Sequence, residues 1–125
     1  MTETGASIVI LKQERILPVE LARLVAAYFE DMVKYVVDVE RGIVAVGGEM
    51  HADAEQVLLE AGSRQTDLWG ANYYPGRGKD ACIEYTALIN IRPAAGNRGM
   101  ELQASDLRRR VQELTFTLIG EGEAL

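Results

Sequence analysis

Cysteine, histidine and tryptophan each occur once in this 125-residue chain, and proline only three times. A single cysteine, Cys82, excludes an intrachain disulfide, and a free thiol fits a reducing compartment. The expected location is therefore the cytoplasm. A single histidine means that any imidazole chemistry must run through His51. Proline and glycine together make up only 15 of the 125 residues, which excludes collagen-like and linker classes. No apolar run approaches the ~18 residues of a membrane span. Met1–Ser7 is polar without a basic stretch, and Ile8–Leu11 is too short for the core of a secretory leader. Positive charge is also in short supply. The net charge is −6, whereas nonspecific nucleic-acid binding needs a basic surface. Nucleic acid is thus a disfavoured partner, and no membrane is expected as one.

What is present is ordinary for a globular domain: 48% hydrophobic and 26% charged residues. The length fits one domain, 1–125, with a core of about 7–119 and frayed ends. Residues 1–62 hold 11 acidic and 5 basic side chains, while residues 63–125 hold 8 of each. A local basic patch is therefore confined to the second half.

Ser7–Lys12 is compact and β-branched, which predicts a strand. Pro18 suits a first helical turn. Leu21, Leu24, Val25, Tyr28 and Met32 then recur at helical spacing, giving helix one at about Pro18–Asp31. In Val33–Val39 the period changes to two. Val33, Tyr35, Val37 and Val39 share one face and Lys34, Asp38 and Glu40 the other, with Val36 the exception. That pattern predicts a half-buried strand, and the Arg41-Gly42 turn joins it to a second strand at Ile43–Val46. Asp53 with Gln56 three residues on predicts the N-cap of helix two, and Gly62 its C-terminal stop. Leu68–Tyr74 is the next strand. Ala81–Arg92 is the longest strand candidate, Pro93–Gly99 a loop, and Ser105 the cap of a third helix closed by Gly120. The order β-α-β-β-α-β-β-α implies an α+β fold, a mostly antiparallel sheet of about five strands with three helices.

Gly47-Gly48-Glu49-Met50-His51-Ala52-Asp53-Ala54-Glu55 and Asp67-Leu68-Trp69-Gly70-Ala71-Asn72-Tyr73-Tyr74-Pro75 carry a resemblance. So do Ile89-Asn90-Ile91-Arg92-Pro93 with Asn97-Arg98, and Val36-Val37-Asp38-Val39-Glu40. Together they resemble a small bacterial and archaeal family described as a domain of unknown function, over about residues 7–119. The resemblance implies a compact cytoplasmic domain. It brings no activity and no catalytic residues to carry over.

Three constellations could carry chemistry. Glu49, His51 and Asp53 would share one face of an extended segment. Such a set could ligate a divalent metal, or pair a histidine base with an orienting carboxylate. Asp53 is more simply a helix cap. Asn72, Asn90, Arg92, Asn97 and Arg98, with Glu84, form a second set. Arginine offers a planar donor fork to carboxylate or phosphate, and the 96–99 loop can present N–H groups to an anion. An Arg92–Glu84 ion pair, with Arg98 tying down the loop, is the plainer reading. Arg108-Arg109-Arg110 points around a helix rather than at one phosphate. Trp69, Tyr73 and Tyr74 could stack on a base or sugar but read as core, and Cys82 reads as a buried, inert thiol.

No P-loop or nucleophile-elbow spacing occurs, and no cofactor is expected. The first functional expectation is a non-catalytic binding or regulatory protein that self-associates, as a homodimer through exposed strand edges. The alternative is an enzyme on a small anionic or phosphorylated substrate. His51 would be its acid/base, Asp53 or Glu49 the orienter, and Arg92 with Arg98 the anion clamp.

Overall fold

Period-two runs of valine, isoleucine and tyrosine build the centre of the sheet, and apolar stripes at helical spacing cover it. The computed structural model describes residues 8–125. Its elements are β1 (Val9–Lys12), α1 (Pro18–Tyr28), β2 (Val33–Asp38), β3 (Ile43–Gly47), α2 (His51–Glu60), β4 (Leu68–Tyr73), β5 (Ile83–Glu84) and α3 (Ser105–Leu118). The strands form one sheet in the order β1-β3-β2-β4-β5, with every neighbouring pair antiparallel. The α+β architecture and element order are those expected. Of the first predicted strand, Ser7 lies outside the described residues.

Helices cover both faces of the sheet. Leu21, Leu24 and Val25 of α1 and Val111, Leu114 and Leu118 of α3 bury one face, with Tyr35, Val37, Val44, Val46, Ala71 and Tyr73. Ala54 and Leu58 of α2 bury the other, against Val36, Ala45 and Leu68. Val36 thus belongs to a second core. β2 is not half-buried: Asp38, on its expected solvent face, is fully buried. The Asp38 carboxylate is satisfied there. Oδ1 accepts from the Glu40 and Arg41 backbone N–H groups at 3.0 and 2.8 Å. Oδ2 accepts from the Ser63 hydroxyl at 2.6 Å.

Four local expectations are corrected. Helix one stops at Tyr28, because Glu30 takes a left-handed backbone (φ 70°) and its N–H turns back to Val25 O. Asp53 is not an N-cap. Helix α2 starts at His51, and Asp53 in its first turn reaches back to accept from the Glu49 and Met50 N–H groups at 3.1 and 2.9 Å. Ser105 is likewise the first residue of α3, after the cap Ala104. Finally, Ala81–Arg92 is not one strand. Only Ile83–Glu84 pairs with β4, and the chain then leaves the sheet through a 3-10 turn at Leu88–Asn90.

Two side-chain amides hold that irregular stretch. Asn90, fully buried, accepts from Gly70 N–H at 2.8 Å and donates to Gly70 O at 2.9 Å. It occupies the place of a strand along the edge of β4. Asn97 donates to Asn90 O at 2.8 Å and accepts from Gln103 N–H at 3.0 Å. The end of the chain, expected to fray, is pinned. Gly122 N–H donates to the Tyr73 hydroxyl at 2.8 Å, and Gly78 N–H donates to Gly122 O at 3.0 Å.

Candidate functional site

Where β5 ends and the chain departs, a cavity of about 240 Å³ opens between the sheet, the start of α2 and residues 86–89. Lys34 on β2, Asn72 on β4 and Glu84 on β5 lie in one register across three strands. Lys34, His51, Asn72 and Thr86 supply the polar wall of the cavity. Met50, Leu88 and Met100 form its rim, and all three are exposed. The Asn72 side chain donates to Glu84 Oε1 at 2.8 Å, and the Tyr74 hydroxyl donates to the same oxygen at 3.1 Å. Asn72 is only 7% exposed, yet its Oδ1 is buried with no hydrogen-bond partner. A buried acceptor left unpaired costs on the order of 1–3 kcal/mol, and this one is closed off from the open space of the cavity.

His51 reaches the sheet because residue 70 has no side chain. A Cβ on Gly70 would lie 3.1 Å from His51 Cδ2 and 2.7 Å from Ala87 Cβ. The ring nitrogen Nε2 meets Ala71 O at 2.9 Å. A carbonyl only accepts, so Nε2 carries the hydrogen, and Nδ1 of the neutral ring keeps its lone pair. Burial pushes the ring below its ordinary value of 6.5. The bond to Ala71 opposes this, the Lys34 charge adds to it, and the Asn72 amide and Glu84 charge pull the other way.

The sign of the resulting pH dependence follows. Below pH 6.5 the unfolded chain takes up a proton at histidine that the folded chain resists, so acidification destabilises the fold. Urea unfolding at several pH values from 7 to 5 is expected to show this loss, and His51→Gln to flatten it. An equal loss in both proteins would assign it to carboxylates instead.

The expected constellations are rearranged. Glu49 is exposed, Asp53 Oδ2 is committed to backbone N–H groups, and His51 is oriented by Ala71 O rather than by either acid. Among the described residues, no group of three or more histidine, cysteine or acidic side chains is placed to hold a metal. The second set divides. Asn72 joins His51 in the cavity, whereas Asn90 and Asn97 hold backbone. Arg92 does not pair with Glu84. It lies over the Trp69 ring at 4.5 Å and beside Glu55 at 3.7 Å, with both terminal nitrogens buried and lacking hydrogen bonds. Neither Arg92 nor the exposed Arg98 lines the cavity. Trp69 and Tyr73 belong to the core, and so does Cys82, whose thiol burial pushes up.

The cation of the site is Lys34, which the strand pattern placed on a solvent face. The signal that could have found it is Val36, two residues on, an apolar residue on that same face. A family described as "Protein of unknown function (DUF5674)" matches residues 9–118. The chain belongs to this family. The match runs from the first residue of β1 to the last of α3 and takes in every residue that lines the cavity. No curated protein and no solved structure matches the chain. Among the described residues, no helix of this DUF5674 domain is long and apolar enough to cross a membrane.

Proposed function

We propose that this chain is a non-catalytic binding domain that takes a small anionic molecule in the Lys34–His51–Asn72 cavity. The observation that carries the reading is the make-up of the cavity wall, which sets the Lys34 cation with His51, Asn72 and Thr86 beneath an apolar rim. Lys34 supplies the charge for an acid group. The rim of Met50, Leu88 and Met100 supplies apolar contact, with thioethers that adapt to shape. At about 240 Å³ the cavity is small for a ligand site. That size limits the ligand to a small metabolite.

His51 is the sole histidine, so its ring gives one unambiguous NMR signal. Titration with small organic acids, amino acids included, is expected to move that signal and the Asn72 side-chain amide together. Lys34→Met should weaken binding about tenfold, the equivalent of ~1.4 kcal/mol. Neither signal moving at millimolar ligand would refute the reading.

Self-association belongs to the same proposal. Among the described residues β1 hydrogen-bonds to β3 alone, which leaves its outer edge as a template for a second copy. Sedimentation at micromolar concentration is expected to give twice the chain mass of 13.8 kDa. The monomer mass alone would argue against it.

A further inference from the structure

We infer that this cavity takes a short aliphatic monocarboxylic acid together with one proton, which His51 Nδ1 holds against the acid group. The inference rests on the binding reading above and names its ligand class. Lys34 is the only charged residue that lines the cavity. It is half-buried, and its ammonium lies 5.1 Å from the Phe29 ring centroid. Among the described residues it pairs with no carboxylate. One unpaired cation answers one acid group. A second acid on the ligand would find no partner, because the wall beyond Lys34, His51, Asn72 and Thr86 is apolar. An aliphatic chain covers that wall and meets the two methionines at the rim.

The proton follows from the way the ring is held. Its Cδ2–Nε2 edge lies against β4: Cδ2 sits over Gly70, and Nε2–H donates to Ala71 O at 2.9 Å. Nδ1 is the ring corner opposite that edge. It carries a lone pair and has no hydrogen-bond partner among the described residues. An ionised carboxylate beside it would set acceptor against acceptor. One proton taken from solvent removes the conflict. The ring becomes an imidazolium, Nδ1–H donates to one carboxylate oxygen, and Lys34 donates to the other. The acid thus enters as carboxylate plus proton, with no net charge. The groups around the ring allow the step. Burial keeps the ligand-free ring neutral at pH 7, Lys34 on β2 opposes protonation, and Glu84 on β5 favours it. A bound carboxylate offsets Lys34 and tips the balance. Asp53 of α2 is committed to backbone N–H groups, and Glu49 is exposed. β4 and residues 86–89 contain no charged residue, and Tyr73 of β4 belongs to the other core.

Calorimetric titration of the intact chain tests this, with the His51 ring signals followed by NMR. Hexanoate carries one acid, hexanamide none, and adipate a second acid at the far end of the same chain. Hexanoate is expected to bind at least about tenfold more tightly than either. Its heat at pH 7 should differ between PIPES and Tris buffers by the uptake of at least about half a proton per site, and its affinity should rise as the pH falls from 8 to 6. The ring nitrogens should move to imidazolium values on binding. His51→Gln should bind hexanoate more weakly, with no proton taken up and with an affinity that does not change with pH. Equal proton-corrected heats and a pH-independent affinity in the parent would overturn the proton and leave an acid-binding cavity. Adipate binding as tightly as hexanoate would overturn the monoacid. A His51 signal that none of the three probes moves would overturn this inference, and the binding reading falls only if the wider set of small acids fails as well.

Discussion

Asn90→Ala is expected to lose roughly 3 kcal/mol of stability or more, the largest single effect at any polar residue of the fold. The side chain is fully buried and serves both polar groups of Gly70, at 2.8 and 2.9 Å, while also donating to Met100 O at 3.1 Å. Alanine strands the buried N–H and carbonyl of Gly70, at about 1–3 kcal/mol for each group that water cannot reach, while Met100 O keeps the Ala87 N–H at 3.1 Å. The loss also frees the 86–100 stretch, so Leu88, Ile89 and Met100 lose their places around the cavity and ligand binding should fall with stability. Asn90→Asp separates the two halves of the amide. It keeps the acceptor for Gly70 N–H but sets a carboxylate against two carbonyl oxygens. Burial and those carbonyls favour its protonated form, so part of the loss should be recovered on acidification. Urea unfolding of the three proteins at pH 7 and pH 4 measures this. An alanine variant within 1 kcal/mol of the parent would show that a neighbouring group or water replaces the amide.

Asp38→Ala comes second, at about 3 kcal/mol, and acts at the other end of α2. Asp38 is fully buried and makes three charge-assisted bonds, two within the β2–β3 turn and one to Ser63 beyond α2. Such bonds contribute about 1.5–3 kcal/mol each when one partner is charged. Arg41 reinforces the same junction, donating to Ala61 O and the Ser63 hydroxyl at 3.1 Å each. Asp38→Asn is not a silent change, yet it should be much milder than alanine. The amide oxygen serves the Glu40 and Arg41 N–H groups, and the Ser63 hydroxyl can rotate to accept. Because the cavity lies at the opposite end of α2, small-acid affinity measured below the melting temperature should be unchanged in both variants. Thermal melts with equal losses for Ala and Asn would mean that the charge itself, rather than the acceptor geometry, carries the stabilisation.

The residues that a sequence reading singles out are thus those the structure also uses, but often for another task. Asn90 and Asn97 look like ligand donors on a strand and loop, and they hold backbone instead. Asp53 looks like a cap and is a first-turn acceptor two residues inside the helix, because an acidic side chain favours either position near a helix start. Asn72 and His51 come together in one cavity although 21 positions separate them, through the 2.9 Å bond from His51 to the backbone of Ala71.

Local pattern alone determined the element order, the start of α1 at Pro18, the β2–β3 hairpin and the stop of α2 at Gly62, because periodicity, turn residues and proline or glycine geometry act within a few residues. Tertiary structure decided the rest. A period-two run states that side chains alternate; it does not say whether a neighbour exists to pair with. Residues 85–92 therefore read as strand, while the Asn90 amide already fills that edge of β4. Alternation likewise cannot show whether the polar face of a strand meets water or a helix. Only tertiary structure settled this: the packing of α2 on that face buried Asp38 and Val36, the β2–β4 register set Lys34 opposite Asn72, and the missing side chain of Gly70 admitted His51.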